Sequence, residues 1–459
     1  MPIVTLRSPL RELVGGENEV RVEGATLGEV IVSLERSYPR LAGWVLDEQG
    51  AVRPHVTLFV NGDRVPLDTA ILSEDRVHVL PAISGGAVQT AERPAAQPLA
   101  GPSAQVEVLV GTRKGLFVLR GPRGGTMEPA LRKFSGQIVE FAIRDPRTGT
   151  YLASVTHGQH GPRLYLTDDP AGEWEQATGP VFPEGAGAAL ERIWTIQPAE
   201  EPGVLWAGVA PAALFRSEDG GRSWSLNEAL WNDPSRPSWA PGQGGLCLHS
   251  ISTWPEDPSR LALGISAAGV WISEDAGGSW RRSNAGIVPR YLPEEARATS
   301  TDLCVHNLHR APLEPTTMYM QFHGGVYRSD DAGETWIDIG SQGGLPSDFG
   351  FPLVVDPHDA NRAFVIPLQG DFDRVTPDGQ VRVFETADRG ETWSSLGLGL
   401  PGPGSFLTVL RQAFGHDGGN PLGLYFGAES GEVFGSADGG ATWVTAAEHL
   451  PPVTSVRCV

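Results

Sequence analysis

Apolar and polar positions change their spacing several times within the first eighty residues. Runs with an apolar residue at nearly every second position predict four strands, at residues 3–6, 19–22, 56–60 and 76–80. Between the second and third runs, apolar residues recur at helical spacing, at Leu27, Val30, Ile31 and Leu34. Thr26 and Glu29 form a capping-box pattern before this segment, and Pro39 ends it. The order strand, strand, helix, strand, strand predicts an α+β β-grasp domain over residues 1–86.

A different pattern repeats along the rest of the chain. The sequence Ser/Thr-x-Asp-x-Gly-x-Ser/Thr-Trp occurs at residues 217–224, 273–280, 329–336, 386–393 and 436–443, with a degenerate copy at 167–174. It predicts a hairpin turn in which Asp accepts hydrogen bonds from backbone amides, Gly is left-handed and Trp packs between sheets. The regular copies lie about 50–57 residues apart, in the upper range for the blades of a propeller.

The number of blades follows from the strands that begin them. Seven apolar runs are candidates for these inner strands: residues 138–143, 192–197, 246–253, 302–308, 351–356, 406–411 and 453–458. The runs at 106–110 and 115–119 have no inner strand before them, and the last inner strand has no strands after it. The chain end is therefore expected to complete the first blade and close the ring. We predict an all-β seven-bladed propeller over residues 105–459.

Composition supports two domains joined by a linker. Residues 87–104 are rich in alanine and proline and contain no aromatic residue, which predicts an exposed spacer that proteases can reach. The chain of 459 residues contains 58 glycines and 38 prolines, which suits a turn-rich β protein with more than one domain.

Charge and cysteine content narrow the classes of function. The chain has 35 basic and 55 acidic residues, and its net charge of −20 repels nucleic-acid phosphates and anionic lipids. Its three cysteines are far apart, which favours reduced thiols over disulfide bonds. The first residues lack the apolar core of a signal peptide, and no apolar stretch is long enough to span a bilayer. We therefore expect a cytoplasmic protein with no nucleic-acid or membrane partner.

Residues 2–86 resemble the ubiquitin-like sulfur carriers, which include the small subunit of molybdopterin synthase and the thiamine sulfur carrier. The resemblance rests on the element order, on Val-Asn-Gly-Asp-Arg-Val at 60–65 and on the closing Leu-Pro-Ala-Ile-Ser-Gly-Gly at 80–86. It implies that an ATP-dependent activating enzyme adenylates the carboxylate of the last glycine. That carboxylate then becomes a thiocarboxylate or is joined to a protein lysine.

The diglycine is internal in this chain, because Ala87 follows Gly86. An internal glycine has no free carboxylate, so we expect a processing protease, of the JAMM type or similar, to cut after Gly86. The processing and activation site then consists of Gly85, Gly86 and Ala87. In the alternative interpretation, Gly85 and Gly86 are idle and only open the linker.

The repeated turns resemble the Asp-box (BNR) repeats of sialidase-like β-propellers, in which they are structural. A sialidase, by this resemblance, uses an arginine triad, a tyrosine–glutamate nucleophile pair and an aspartic acid. The chain has no Arg-Ile-Pro motif near the start of the propeller, and Tyr291 with Glu294 or Glu295 is only a nearby pair. A glycosidase therefore stays an alternative to a binding protein.

Histidines gather in segments predicted to share the propeller face opposite these turns. His249 and His306 occupy matching positions in neighbouring inner strands, and His160 and His323 lie in loops. Because neutral imidazole binds zinc well, the four residues are a candidate zinc site. In the alternative interpretation, they hydrogen-bond to backbone groups in a polar channel.

Other residues of the same face are candidates for contact with a protein or small-molecule ligand. They are Arg113, His157, Arg163, Glu191, Arg192, Trp239, Asp371 and Arg374. Cys247 and Cys304 are interpreted as small core residues. The leading hypothesis is a carrier precursor fused to a binding module. The alternative is a propeller hydrolase, either glycosidase-like or a metal-dependent enzyme that could process the Gly86 bond.

Overall fold

The computed structural model describes residues 1–6, 10–47, 50–53, 56–61, 65–81, 105–242, 244–292, 294–297, 303–340 and 343–459. The predicted processing site at Gly85, Gly86 and Ala87 and the predicted linker at 87–104 lie outside these residues. The chain folds as two compact units. The first comprises the described residues of Met1–Ser103 with His157–Gly161 and Phe182–Ala189, and the second comprises the others.

The first unit is built on one four-stranded sheet and one long helix. Its elements are β1 (Ile3–Leu6), α1 (Leu10–Leu13), β2 (Glu19–Arg21), α2 (Leu27–Ser37), a 3-10 helix (Pro39–Leu41), β3 (Val56–Val60) and β4 (Arg76–Pro81). The strand order is β2-β1-β4-β3, in which β1 is parallel to β4 and the other neighbours are antiparallel. This arrangement confirms the β-grasp.

Helix α2 forms for the reasons that its sequence indicates. The Thr26 hydroxyl accepts a hydrogen bond from the Glu29 N–H at 3.3 Å. The Glu29 carboxylate accepts one from the Ala25 N–H at 2.8 Å, one residue earlier than in a standard capping box. The predicted apolar face is buried completely: Leu27, Val30, Ile31 and Leu34. Burial of this face against the sheet is the main source of stability for so short a helix.

The described residues of the second unit form seven four-stranded sheets. One sheet combines β5 (Gln105–Thr112), β6 (Gly115–Pro122) and β7 (Glu128–Lys133) with the last strand of the chain. The next three sheets are formed by β8 (Ile138–Arg144), β9 (Tyr151–His157), β10 (Gly161–Thr167) and β11 (Glu175–Gln176); by β12 (Arg192–Pro198), β13 (Leu205–Ala210), β14 (Ala213–Ser217) and β15 (Ser225–Leu226); and by β16 (Cys247–Trp254), β17 (Asp257–Ser266), β18 (Gly269–Ser273) and β19 (Arg281–Arg282).

Three further sheets follow in the same chain order. They are formed by β20 (Val305–Arg310), β21 (Met318–Phe322), β22 (Gly325–Ser329) and β23 (Ile337–Asp338); by β24 (Gly350–Val355), β25 (Ala363–Pro367), β26 (Val383–Thr386) and β27 (Ser394–Leu396); and by β28 (Phe414–His416), β29 (Leu424–Gly427), β30 (Val433–Ser436) and β31 (Val444–Ala447). Strand β32 (Val453–Cys458) ends the chain. Short helices lie in the connections: α3 (Glu228–Trp231), α4 (Glu294–Arg297) and the 3-10 helices Arg236–Ser238 and Pro377–Gly379.

The first strands of these sheets are neighbours in a closed cycle. Strands β8, β12, β16, β20 and β24 each contact the first strand of the next sheet, and β32 contacts both β28 and β8. Strand β32 pairs with β5, from Val453 opposite Thr112 to Cys458 opposite Val108. The end of the chain therefore completes the sheet that β5 begins, as expected, and the second unit is a propeller-like all-β fold.

The predicted inner strand at 406–411 is wrong. The first strand of that sheet is β28, and Phe406 is exposed. The Leu407 carbonyl accepts a hydrogen bond from the Thr376 N–H at 2.9 Å, so this apolar run lies beside the connection that follows β25. The alternation of side chains does not distinguish such a loop pairing from a strand of a sheet.

The five regular copies of the repeated turn share one hydrogen-bond network. In the turn at 386–393, the Thr386 hydroxyl donates to the Asp388 carboxylate at 2.8 Å and accepts from the Gly390 N–H at 2.7 Å. The Asp388 carboxylate also accepts from the N–H and the hydroxyl of Thr392, at 2.9 and 2.6 Å. The donors to Asp388, foremost the Thr392 hydroxyl, hold the pKa of that carboxyl below its usual range.

In two of the turns, the tryptophan that ends the turn links its sheet to the preceding one. The Trp393 indole N–H donates to the Ile339 carbonyl at 2.9 Å, and that of Trp336 donates to the Ser283 carbonyl at the same distance. Ile339 and Ser283 each follow the last strand of the preceding sheet. These turns therefore stabilise the contacts between sheets. Among the described residues, no helix has the length and apolar character that crossing a membrane requires.

We expect Asp388→Ala to lower the free energy of unfolding by about 1–2 kcal/mol, because three donors lose their charged acceptor. Urea unfolding monitored by tryptophan fluorescence measures this change. Glu391→Ala is the matched control, since Glu391 is an exposed carboxylate in the same turn. Equal stability of the two variants would contradict this role of Asp388.

Candidate functional site

A β-bulge lies near the start of the first strand in six of the seven described sheets of the second unit. The bulge is the second or third residue of the strand, where the register with the next strand shifts. The bulged side chains, which we call the bulge ring, are Glu140, Trp194, His249, His306, Phe351 and Thr454. Bulges at functional sites redirect a side chain from the regular alternation of a strand. Because the first strands form a closed cycle, the ring brings polar and aromatic groups from six sheets together.

Arg411 connects members of the ring that come from different sheets. Its guanidinium lies 4.5 Å from the centre of the Phe351 ring and 5.7 Å from that of Trp194. The centres of the Trp194 and His249 rings are 6.3 Å apart. Arg411 and His249 also line a cavity of about 450 Å³ between the first strands. His249 is the member of the ring that lines this cavity together with Arg411, and Arg411 also lies beside Trp194 and Phe351, so these four residues form one candidate site.

Arg411 is a cation without a carboxylate partner among the described residues. No described carboxylate lies within ion-pair distance of its guanidinium, and its Nε atom has no hydrogen-bond partner there. Burial lowers the pKa of Arg411, and the nearby sulfurs of Cys304 and Cys247 oppose this shift. An enclosed guanidinium flanked by two aromatic rings is suited to bind the anionic group of a ligand.

Glu140 contributes a carboxylate to the other side of the ring. Its Oε1 atom lies 3.1 Å from Arg192 Nε, and the Arg192 guanidinium lies 4.5 Å from the centre of the Trp194 ring. Burial raises the pKa of Glu140, and the positive charge of Arg192 opposes that shift. A carboxyl with a raised pKa is the kind of group that can donate a proton near neutral pH.

The four histidines predicted to bind zinc are divided between the two units. His160 belongs to the first unit, whereas His249, His306 and His323 belong to the second. Both ring nitrogens of His249 hydrogen-bond to serine hydroxyls, at 3.0 and 3.2 Å, whereas the alternative interpretation expected backbone partners. Within the described residues, the group that could hold a metal ion is Cys304, His306 and His323, whose donor atoms all lie within 4.8 Å of one another.

The predicted ligand-contact residues divide into those near the site and those elsewhere. Arg192, Asp371 and Arg374 are near: the Asp371 carboxylate lies 3.9 Å from His323 Nε2, and the Arg374 guanidinium lies 5.4 Å from the centre of the Phe351 ring. Asp371 therefore borders the Cys304, His306 and His323 group.

The other predicted contacts have different surroundings. Trp239 is 6% exposed and packs 5.1 Å from Trp271 in a hydrophobic core. Arg113 forms an ion pair with Glu429 at 2.7 Å. His157 ends β9 and belongs to the first unit, Arg163 lies in β10, and Glu191 is exposed just before β12.

Sequence reasoning did not identify Glu140, Trp194, Phe351, Arg411 or Cys304 as members of a site. A bulge cannot be read from the alternation of apolar residues, since its effect is to break that alternation. The available signal was positional: a polar or aromatic residue recurs two or three places into each first strand, as it does for His249 and His306.

The burial of His249 gives stability a pH dependence. Its side chain is 1% exposed, and burial, together with the charge of Arg411, holds its pKa well below the usual value. Folded His249 therefore stays neutral, while the unfolded residue gains a proton near pH 6.5. Stability from this residue is present at pH 7 and is lost as the pH falls, by up to about 2 kcal/mol at pH 5.

We expect His249→Gln to reduce the loss of unfolding free energy between pH 7 and pH 5, as measured by urea unfolding at both values. His449→Gln is the control, because His449 is 89% exposed and should leave the pH dependence unchanged. An unchanged pH dependence in His249→Gln would show that His249 is protonated in the folded chain.

One group of relatives extends into the second unit. The xyloglucanase of Hypocrea jecorina is 27% identical over 267 residues, which cover 55% of this chain and 29% of that enzyme. The chain thus spans less than a third of the length of this relative. The similarity covers more residues than the first unit contains, so it includes part of the all-β region.

A second group matches the first unit. Small archaeal modifier protein 3 of Haloferax volcanii is 44% identical over 82 residues, covering 17% of this chain and 88% of that protein. Sulfur carrier protein CysO of Mycobacterium tuberculosis is 36% identical over 89 residues, covering 18% of this chain and 96% of that protein. The model of the ThiS family matches residues 4–86. Through this β-grasp unit, the chain belongs to the ThiS family.

Proposed function

We propose that the chain is the precursor of a ubiquitin-like sulfur carrier or protein modifier. The carrier consists of residues 1–86 and is released by cleavage after Gly86. The observation that carries the proposal is the β-grasp unit, which matches the ThiS family and two small relatives over 88% and 96% of their lengths. Strand β4 ends at Pro81, four residues before the diglycine. Cleavage by a JAMM-type or similar protease would convert the internal Gly86 amide into a carboxylate.

The chemistry of activation explains why cleavage must come first. Adenylation joins a carboxylate oxygen to the α-phosphate of ATP and releases pyrophosphate, and an amide carbonyl offers no such oxygen. Sulfide transfer then displaces AMP and leaves a thiocarboxylate, whereas attack by a lysine amine leaves an isopeptide bond. Glycine suits this position because a chain without side chains can enter a narrow enzyme channel in extended form.

The second unit serves in this proposal as a binding module, a seven-bladed propeller with Asp-box turns. Its seven sheets with neighbouring first strands support the blade assignment, and the shared turn network supports the Asp boxes. The site for a small molecule or a protein side chain is the bulge ring. Arg411 would bind an anionic group there, and Trp194 and Phe351 would contact the apolar part of the ligand.

The activation step is tested with two fragments that differ by one residue. Fragment 1–86 ends in a glycine carboxylate, whereas in fragment 1–87 the Gly86 carbonyl is an amide and the terminal carboxylate belongs to Ala87, which carries a side chain that a channel fitted to glycine excludes. With a ThiS-family activating enzyme and ATP, we expect 1–86 to support pyrophosphate exchange and 1–87 to support little or none. Circular dichroism establishes that both are folded. Absence of exchange with folded 1–86, or equal exchange with both fragments, would overturn the carrier proposal.

Glycoside hydrolysis is the second candidate function for the all-β region. Two observations favour it: the similarity to a xyloglucanase and the raised pKa of Glu140, which a general acid needs. Glycosidases of the usual type need a second carboxylate on the other side of the scissile bond. Asp371 lies on the histidine side of the site and is the candidate for that role.

Two hydrolysis assays distinguish the binding module from the glycosidase. One measures the release of reducing sugar from xyloglucan, and the other measures the release of sialic acid from a sialoside. The binding-module proposal predicts no hydrolysis of either substrate by the full chain. Hydrolysis that Glu140→Gln abolishes, and that Glu391→Ala leaves intact, would establish the glycosidase in place of the binding module.

A further inference from the structure

Cys304 and His323 lie opposite each other because one hairpin pairs their backbones. The His323 N–H donates to the Cys304 carbonyl at 3.0 Å, where β21 turns into β22. His306 follows two residues after Cys304 and is the bulged residue of β20. The bulge directs its imidazole toward His323, and the centres of the two rings are 5.2 Å apart. The three side chains therefore converge through the geometry of one hairpin.

The hydrogen bond of His306 determines which nitrogen faces the cluster. Its Nδ1 atom lies 2.7 Å from the Gly350 carbonyl oxygen, which can only accept. Nδ1 therefore carries the proton, and Nε2 keeps a lone pair. Histidines that bind metals usually donate their other ring N–H to a carbonyl or a carboxylate in this way. His306 is 2% exposed, so its ring has little freedom to turn away.

The other two side chains are also held in place by neighbours. The Tyr291 ring packs against His323 with centres 4.6 Å apart, and the Tyr291 hydroxyl accepts from the Cys304 N–H at 3.2 Å. Asp371 provides a carboxylate 3.9 Å from His323 Nε2. A nearby carboxylate increases the basicity of an imidazole ligand.

We propose that Cys304, His306 and His323 form a zinc-binding site, with the thiolate and two imidazole nitrogens as ligands. A thiolate with two imidazoles is a donor set for zinc and not for magnesium or calcium, which prefer oxygen ligands. Three protein ligands leave a tetrahedral zinc ion one position for water or another ligand. On binding, the Cys304 thiol loses its proton to solvent as the sulfur–zinc bond forms.

Arg411 fits this site despite its positive charge. Its guanidinium interacts favourably with the Cys304 sulfur, and a neighbouring cation favours the thiolate over the thiol. The thiolate offsets one of the two charges of the zinc ion. The zinc ion and Arg411 would then both attract an anionic ligand group to the open position. The metal-site proposal does not depend on the proposed carrier function, because that function concerns the first unit.

Cys247 supplies a matched control within the same site. It begins β16, its thiol donates to the Gly244 carbonyl at 3.2 Å, and burial raises its pKa to about 11. Cys247 does not belong to the described group of Cys304, His306 and His323, whose donor atoms lie within 4.8 Å of one another. Removing the Cys247 sulfur should therefore leave zinc binding unchanged.

The test uses the full chain after removal of metal by a chelator, with Co²⁺ as the spectroscopic probe and Zn²⁺ as competitor. We expect a thiolate-to-cobalt charge-transfer band and tetrahedral visible bands, which one equivalent of Zn²⁺ removes. Cys304→Ser should abolish the charge-transfer band, and Cys247→Ser should retain it. His323→Gln should weaken zinc affinity by about 100-fold or more.

Thermal unfolding without metal is the folding control for each variant. The His323 side chain is 20% exposed, so we expect His323→Gln to fold. If Cys304→Ser does not fold, zinc binding by His323→Gln tests the proposal. Two results would overturn the proposal: no thiolate–cobalt band in the unsubstituted chain, or zinc binding that Cys304→Ser and His323→Gln leave unchanged.

Discussion

The pairing of β32 with β5 is the constraint on which the second unit depends. It joins β32, the six-residue strand that ends the second unit, to β5, the strand that begins it. In this position β32 contacts both β28 and β8. Without this pairing, the sheet of β5–β7 would lose its inner strand and expose β5 as an open edge, and β28 and β8 would lose the strand that they both contact. One antiparallel ladder between distant parts of the chain thus closes the cycle of first strands.

The candidate site exists only because that cycle is closed. Each member of the bulge ring is set by a local register shift, but their proximity comes from the arrangement of the sheets. Arg411 illustrates this, because its guanidinium contacts Trp194 of one sheet and Phe351 of another. In contrast, the Cys304 and His323 pair is made by a single hairpin. Closure therefore determines the part of the site that is proposed to bind an anion, and local structure determines the part that is proposed to bind a metal.

The parts of the fold that could be predicted from the sequence are those governed by local physics. Helix α2 follows from the spacing of Leu27, Val30, Ile31 and Leu34, and the turns follow from side chains such as Asp388 that bond within a few residues. The run at 406–411 shows the limit, since its partner is a distant loop. Of the residues that the sequence indicated, six lie in or beside the candidate site: His249, His306, His323, Arg192, Asp371 and Arg374. Cys304 and Arg411 were missed because bulges and contacts between sheets leave no periodic signal.

The measurement that most directly tests the account is the intact mass of the protein purified from its own host. The account predicts a fragment of residues 1–86 ending at Gly86, as free acid or as thiocarboxylate, together with the remainder of the chain beginning at Ala87. A single full-length mass, under conditions in which the host's other sulfur carriers are found activated, would contradict it. The diglycine would then be an idle part of the linker.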